Sequence, residues 1–181
     1  ERERLSRAIV TVISEEAMRR LGRESPRVAP TLKDDNGTLI MEIAGKVVQR
    51  PMPREIFDVD LRLRDMDANG VTMQVLAATV QTLFYGEEGA LAAACAALQN
   101  DEIAATVRHH PDRFVGLATL PMQQPQVAAD ELQRTMTVLD LRGAQIGSNV
   151  NDRNLDDPAL EPVWEAANAL SAPPNAPASA A

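Results

Sequence analysis

Only two histidines, His109 and His110, occur in 181 residues. Imidazole is the commonest metal ligand and the group that titrates nearest neutral pH. Adjacent positions on a helix point about 100° apart, so this pair does not readily chelate one ion. Pro111 follows and stops a helix there, which places both rings where a protonated histidine suits the helix dipole. The pattern reads as structural. Cys95, the one cysteine, lies in the Ala-rich stretch Leu91–Leu98 and reads as a small buried hydrophobe. A single cysteine cannot form an internal disulfide, so a reducing cytoplasmic setting is expected. Asp58, Asp60, Asp65 and Asp67 crowd one short segment, but as the solvated side of a helix. Phe84 and Tyr85 follow an apolar run, and Gln123 and Gln124 follow another, where capping and solvent contact suit them. Gln145, Gly147 and Asn149 alternate along one face of a further run. Asn149, near the C-terminal end of that run, is the candidate to face a pocket, and Gln145 reads as a packed interior residue. No Gly-rich phosphate loop, CxxC pair or nucleophile elbow is present.

The elements that must position these residues alternate. Ala8–Ile13, Val71–Ala78, Phe114–Leu120 and Gly143–Val150 are apolar, β-branched runs of the kind buried on both faces of a parallel sheet. Helices are expected over Ala17–Leu21, Asp58–Asn69, Glu88–His109 and Pro125–Leu139, and from Asp157 to Leu170. Gly70 stands at a left-handed C-cap position, and Asp157-Pro158 is a cap followed by proline at the first helical position. Thr38–Ile43 and Lys46–Arg50 read as two short strands within an insert spanning about residues 26–53. Strand–helix alternation at this spacing argues for an α/β protein with parallel βαβ units. Four such units make half of an eight-stranded barrel, since a full (β/α)₈ barrel takes roughly 250 residues. A doubly wound open sheet is the alternative. Residues 1–170 form one folded unit in this reading. Ser171–Ala181 contains only small residues, Pro and Asn and is expected to be disordered, with no fifth strand.

Composition narrows the partners. The formal net charge is −8, and the 18 Lys and Arg residues form no basic stripe, so nucleic acid is not an expected partner. No apolar run approaches the ~18 residues of a membrane span.

The stretch Arg113–Asn151, RFVGLATLPMQQPQVAADELQRTMTVLDLRGAQIGSNVN, resembles the amidohydrolase-related family, on the pattern of its 2-amino-3-carboxymuconate 6-semialdehyde decarboxylases. The likeness extends upstream through Arg64–Leu76, Asn100-Asp101 and His110–Phe114, and downstream through Leu155–Leu170. The resemblance implies a partial (β/α)₈ TIM barrel and one divalent metal, usually zinc. It implies a carboxy-lyase or hydrolase acting on a small unsaturated or aromatic carboxylate, with its site at the C-terminal ends of the strands. The family's first metal pair would fall on Ile9 and Thr11, neither of which is a ligand. Its later ligands follow the helix that ends at Leu170, where this sequence diverges. Arg50 sits where the family places a basic residue for a substrate carboxylate. Phe84 stands where it carries pocket aromatics.

These expectations together describe a member of that family that does not bind the metal and is inactive as it stands, as in a truncated or frame-disrupted product. The alternative is a non-catalytic relative that binds a partner. An open fourth strand and bare helix faces would favour a homo-oligomer or aggregation. Substrate identity, and decarboxylation versus hydrolysis, are not legible in the residues.

Overall fold

A computed structural model describes residues 23, 31–36, 38–43, 45–49, 51, 58–171 and 174–175. The expected first strand and its helix, Ile9 and Thr11, and Arg50 lie outside the described residues. The insert is an antiparallel meander: β1 (Thr31–Asp35), β2 (Thr38–Ile43) and β3 (Lys46–Gln49), in the order β1-β2-β3. The two expected strands are present, and β1 is an addition.

Helix α1 (Val59–Ala68) starts on Asp58, whose Oδ1 accepts from the Leu61 amide at 2.8 Å. It ends at Asn69, and Gly70 follows with φ +65°, where a side chain would be strained. Strand β4 (Gln74–Leu76) leads through a 3-10 turn, Val80–Thr82, into α2 (Gly89–His109). Next come β5 (Phe114–Gly116) and β6 (Ala118–Thr119), then α3 (Pro125–Thr137), β7 (Ala144–Gln145) and a hairpin of β8 (Asn149–Val150) with β9 (Arg153–Asn154). A 3-10 turn, Pro158–Leu160, capped by Asp157, opens α4 (Glu161–Ala169). Among the described residues, no helix is long and apolar enough to cross a membrane.

β5 and β6 are one strand that changes partners at Leu117. The Leu117 amide bonds the Leu76 carbonyl in β4, and the Ala118 amide bonds the Gly143 carbonyl before β7, both at 2.8 Å. All pairings in this ladder are parallel. The described strands therefore run β4, β5/β6, β7 and then β10 (Pro174–Asn175). Among the described residues the βα repeats are β4–α2, β5/β6–α3 and β7–α4.

Two expectations are corrected. Pro174–Asn175 falls within the stretch expected to carry no strand, yet it pairs with Ala144–Gln145. A parallel ladder is made by backbone groups, and proline is tolerated as the first residue of an edge strand, so composition is a poor guide there. The fourth strand was expected to continue from Gly143 to Val150, but the ladder ends at Gln145. Asn151 and Asp152 both take left-handed φ, 50° and 66°, and turn the chain into the β8–β9 hairpin.

The core lies between sheet and helices. Leu76, Ile103, Phe114, Ala118, Leu132, Ala144, Ile146 and Val163 are buried together in it. Gly116 fixes which face this is, because a Cβ there would meet Ile103 of α2 at 2.7 Å and Leu141 at 2.6 Å. The even-numbered residues 114–120 thus face the helices, and Val115, Leu117 and Thr119 face the other way, into the concave side.

Candidate functional site

Register carries that alternation across the sheet. Val75 pairs with Val115, and Thr119 with Gln145, so these residues share the face turned from the helices. The face is graded. Val75 and Val115, toward the N-terminal end, are half-buried, whereas Thr119 and Gln145 at the C-terminal end are buried. Barrel enzymes place their chemistry at the C-terminal ends of the strands.

Three loops meet there. Tyr85 Oη accepts from the Gly147 amide at 3.1 Å, and Asn151 Nδ2 donates to the Tyr85 carbonyl at 2.6 Å. Gln123 Nε2 donates to the carbonyls of Phe84 at 3.0 Å and Glu87 at 3.3 Å. The loop after β4 is thereby tied to the loops after β6 and β7. Burial raises the Tyr85 phenol from 10.0 to about 12, with the Gly147 hydrogen bond pulling weakly the other way. Tyr85 is a neutral hydroxyl at any ordinary pH.

Behind the site, two amides of α2 hold the end of β6 and the 3-10 turn after β4. Asn100 Oδ1 accepts from the Thr119 amide at 2.7 Å, while its Nδ2 donates to the Thr119 carbonyl at 2.9 Å and to Glu131 Oε1 at 2.6 Å. Gln99 Nε2 donates to the Thr82 carbonyl at 3.1 Å, and its Oε1 accepts from Thr82 Oγ1 at 3.0 Å. Arg134 binds Glu131 through Nε at 2.8 Å and Asp101 through Nη1 at 2.8 Å. The Glu131 hydrogen bond is the larger cause that raises the Arg134 guanidinium above its usual range.

The sequence-derived candidates fall in different places. Phe84 is buried against Ala92 and Cys95 of α2, with Leu91 and Leu98 beside them, so it packs on the helix layer. Its φ of +53° is uncommon for a bulky residue and is the kind of backbone strain found where loops carry sites. Asn149 lies in the β8–β9 hairpin and is exposed, not on the parallel ladder. Gln145 is a buried interior residue, as expected. Gln124 is at the N-cap of α3 without a side-chain cap bond, and Gln123 ties loops instead. Asn100, Gln99 and Thr119 are site-end residues to which sequence reasoning assigns no role. Asn100 and Thr119 fall in stretches that carry the family resemblance, and beyond that the signal is polarity inside apolar runs.

The histidines lie at the opposite end. His109 Nδ1 sits 2.7 Å from the Ala105 carbonyl in the last turn of α2. His110 packs edge-on to Phe114, the first residue of β5, with ring centroids 6.0 Å apart. Among the described residues, no three His, Cys, Asp or Glu side chains converge as metal ligands would. The described donor set therefore does not fit the divalent ion that the resemblance implies.

Residues 25–176 match the amidohydrolase family. The chain is 41% identical over 133 residues to the 2-amino-3-carboxymuconate-6-semialdehyde decarboxylase of Dictyostelium discoideum, covering 73% of this chain and 36% of that one. A 2,6-dihydroxybenzoate decarboxylase solved with 2,6-dihydroxybenzoate superposes with a TM-score of 0.61 at 31% identity, over 66% of this chain and 39% of its own. The 5-carboxyvanillate decarboxylase from Novosphingobium aromaticivorans, solved with manganese and 4-hydroxy-3-methoxy-5-nitrobenzoic acid, gives a TM-score of 0.70 at 26% identity, over 94% and 49%. The chain thus spans half or less of each. The ion in that last neighbour is manganese, where the resemblance implied usually zinc.

Proposed function

The chain belongs to the amidohydrolase family, and on that premise we propose that it forms part of a barrel site for decarboxylating aromatic or unsaturated carboxylic acids without supplying the metal ligands itself. One observation carries this reading. The strand ends present neutral polar groups, Thr119, Gln145 and Tyr85, while both imidazoles stand at the far end of the sheet. A metal-activated site needs several anionic or imidazole donors converging on one point. Arg50 is the proposed ligand for the substrate carboxylate, a task suited to a bidentate guanidinium. The test is metal analysis after dialysis against manganese or zinc, with carbon dioxide release from 2,6-dihydroxybenzoate measured on the same sample. Less than a tenth of an equivalent of metal and no release above background are expected. One equivalent of metal with turnover would refute it.

A second reading, self-association, is favoured by Val75 and Val115. Parallel sheets are ordinarily covered on both faces, yet these two apolar residues are only half-buried on the concave side. Analytical ultracentrifugation giving a discrete dimer would support it, and a monomer at high concentration would remove it.

A further inference from the structure

Thr119 and Gln145 are register partners on the concave face and are 1% and 4% exposed. Thr119 Oγ1 and Gln145 Oε1 are buried, and neither has a hydrogen-bond partner among the described residues. Thr79 Oγ1 and Gln123 Oε1 share that condition, and they lie in the segments leaving the C-terminal ends of β4 and β6. Buried polar atoms are nearly always paired, with water or ligand where not with protein. These four atoms lie at one end of the sheet, the end where barrel enzymes bind substrate. The Thr119 N–H and C=O are both already satisfied by Asn100, so its hydroxyl is not needed to complete the backbone.

The chemistry of the pair selects a ligand. Gln145 Oε1 is an acceptor, and a threonine hydroxyl can accept as well as donate. A carboxylate offers only acceptors and would face the amide oxygen unfavourably. A hydroxyl donates its one proton to the amide oxygen and accepts from the threonine hydroxyl, and an amino group can donate to both atoms. We propose that Thr119 and Gln145 form the subsite for a hydrogen-bond-donating substituent on the carboxylate substrate, a ring hydroxyl or its amino equivalent. This rests on the reading above that the site receives aromatic or unsaturated carboxylates. It adds that the β6–β7 face distinguishes hydroxylated from unsubstituted rings.

The experiment is a heteronuclear NMR titration of the full chain with 2,6-dihydroxybenzoate and, separately, with benzoate. The dihydroxy acid binds at least about tenfold tighter, because a site built to pair a hydroxyl discriminates strongly against its absence. Thr119→Val and Gln145→Met each reduce that preference to about threefold or less. Thr119→Ser, which keeps the hydroxyl, retains the preference. Without ligand, the Val and Met variants melt no lower than the parent, since replacing an unpaired buried polar atom by an apolar one removes a desolvation cost. Equal affinities for the two acids, no binding of either, or a preference that survives both substitutions would each overturn the proposal. In the last case the two atoms serve bound water only. Binding is read without metal or turnover. Metal-dependent turnover would refute the earlier reading and leave this one standing, and equal binding would do the reverse.

Discussion

Asn100 grips both backbone groups of one residue, accepting from the Thr119 N–H at 2.7 Å and donating to the Thr119 carbonyl at 2.9 Å. β4 ends at Leu76, and its register with β5 stops at Gly116. Beyond that point the β4 side of Thr119 has no strand to pair with among the described residues, and the amide takes the strand's place. One helix side chain therefore continues the ladder to the site end.

Asn100→Leu is expected to lose about 2–4 kcal/mol of stability, because it leaves a buried N–H and C=O unpaired. Asn100→Asp sets a carboxylate against the Thr119 carbonyl and Glu131, so it should be at least as damaging at neutral pH and recover partly near about pH 4, where carboxylates protonate. Urea unfolding of both variants at the two pH values checks this. A wild-type midpoint for Asn100→Leu would show that the clamp is dispensable.

Tyr85 makes stability fall at alkaline pH. Its folded-state pKa lies near 12 against 10.0 for the free phenol, so the folded protein holds this proton more tightly than the unfolded chain. The contribution is fully present below pH 10 and is lost as pH rises through the folded value. Its size is about 2–3 kcal/mol at most, since a tenfold change in proton affinity is worth about 1.4 kcal/mol. Tyr85→Phe should cost about 1 kcal/mol at pH 8 by freeing the Gly147 amide. Its melting temperature should then decline less steeply than wild type between about pH 10 and 11.5. Parallel declines would contradict the burial of this phenol.

Much of the frame was legible because it depends on local rules. Asp58 and Gly70 bracket α1, Pro111 stops α2, and Asp157-Pro158 opens the last helical segment, each through backbone geometry that a short sequence window contains. The site end was less legible because its contacts span large sequence separations. Tyr85 reaches Gly147 across 62 positions, and Asn100 reaches Glu131 across 31. Periodicity marks a buried face but cannot say which polar residue on it has a partner waiting. In α2 it points to Leu91, Cys95, Leu98, Ile103 and Val107, of which Cys95 and Ile103 are buried outright, but it gives no sign that the helix also buries Gln99 and Asn100. The strand expected to run through Asn149 ended early for a different reason. The Asn151-Asp152 turn is a local hairpin signal, and the apolar run before it masked the signal.

Gly116→Ala tests the close approach of strand and helix. The added Cβ would stand 2.6 Å from Leu141 Cδ2 and 2.7 Å from Ile103 Cγ2, inside van der Waals contact, in a core with little slack. The expected loss is about 1–3 kcal/mol. Ile103→Ala in the same background should restore part of it by removing the Cγ2 that the new Cβ meets, in a double-mutant cycle read by thermal unfolding. Purely additive costs would mean that the strain is relieved elsewhere.

Arg113 organises the end of the sheet opposite the site. Its Nε donates to the Thr72 carbonyl at 3.1 Å, and its Nη2 donates to Asp67 Oδ1 at 2.7 Å and to the Val71 carbonyl at 3.3 Å. One guanidinium thus joins α1, the turn after Gly70 and the start of β5. Lysine keeps the charge but lacks the planar fork, so Arg113→Lys should cost about 1–2 kcal/mol. Asp67 is 67% exposed, and an exposed ion pair is worth little, so Asp67→Asn should cost about 0.5 kcal/mol or less. The carbonyl bonds, not the salt bridge, are then the working part of the clamp. Equal losses for the two variants, both erased by about 0.5–1 M salt, would assign the role to the ion pair instead.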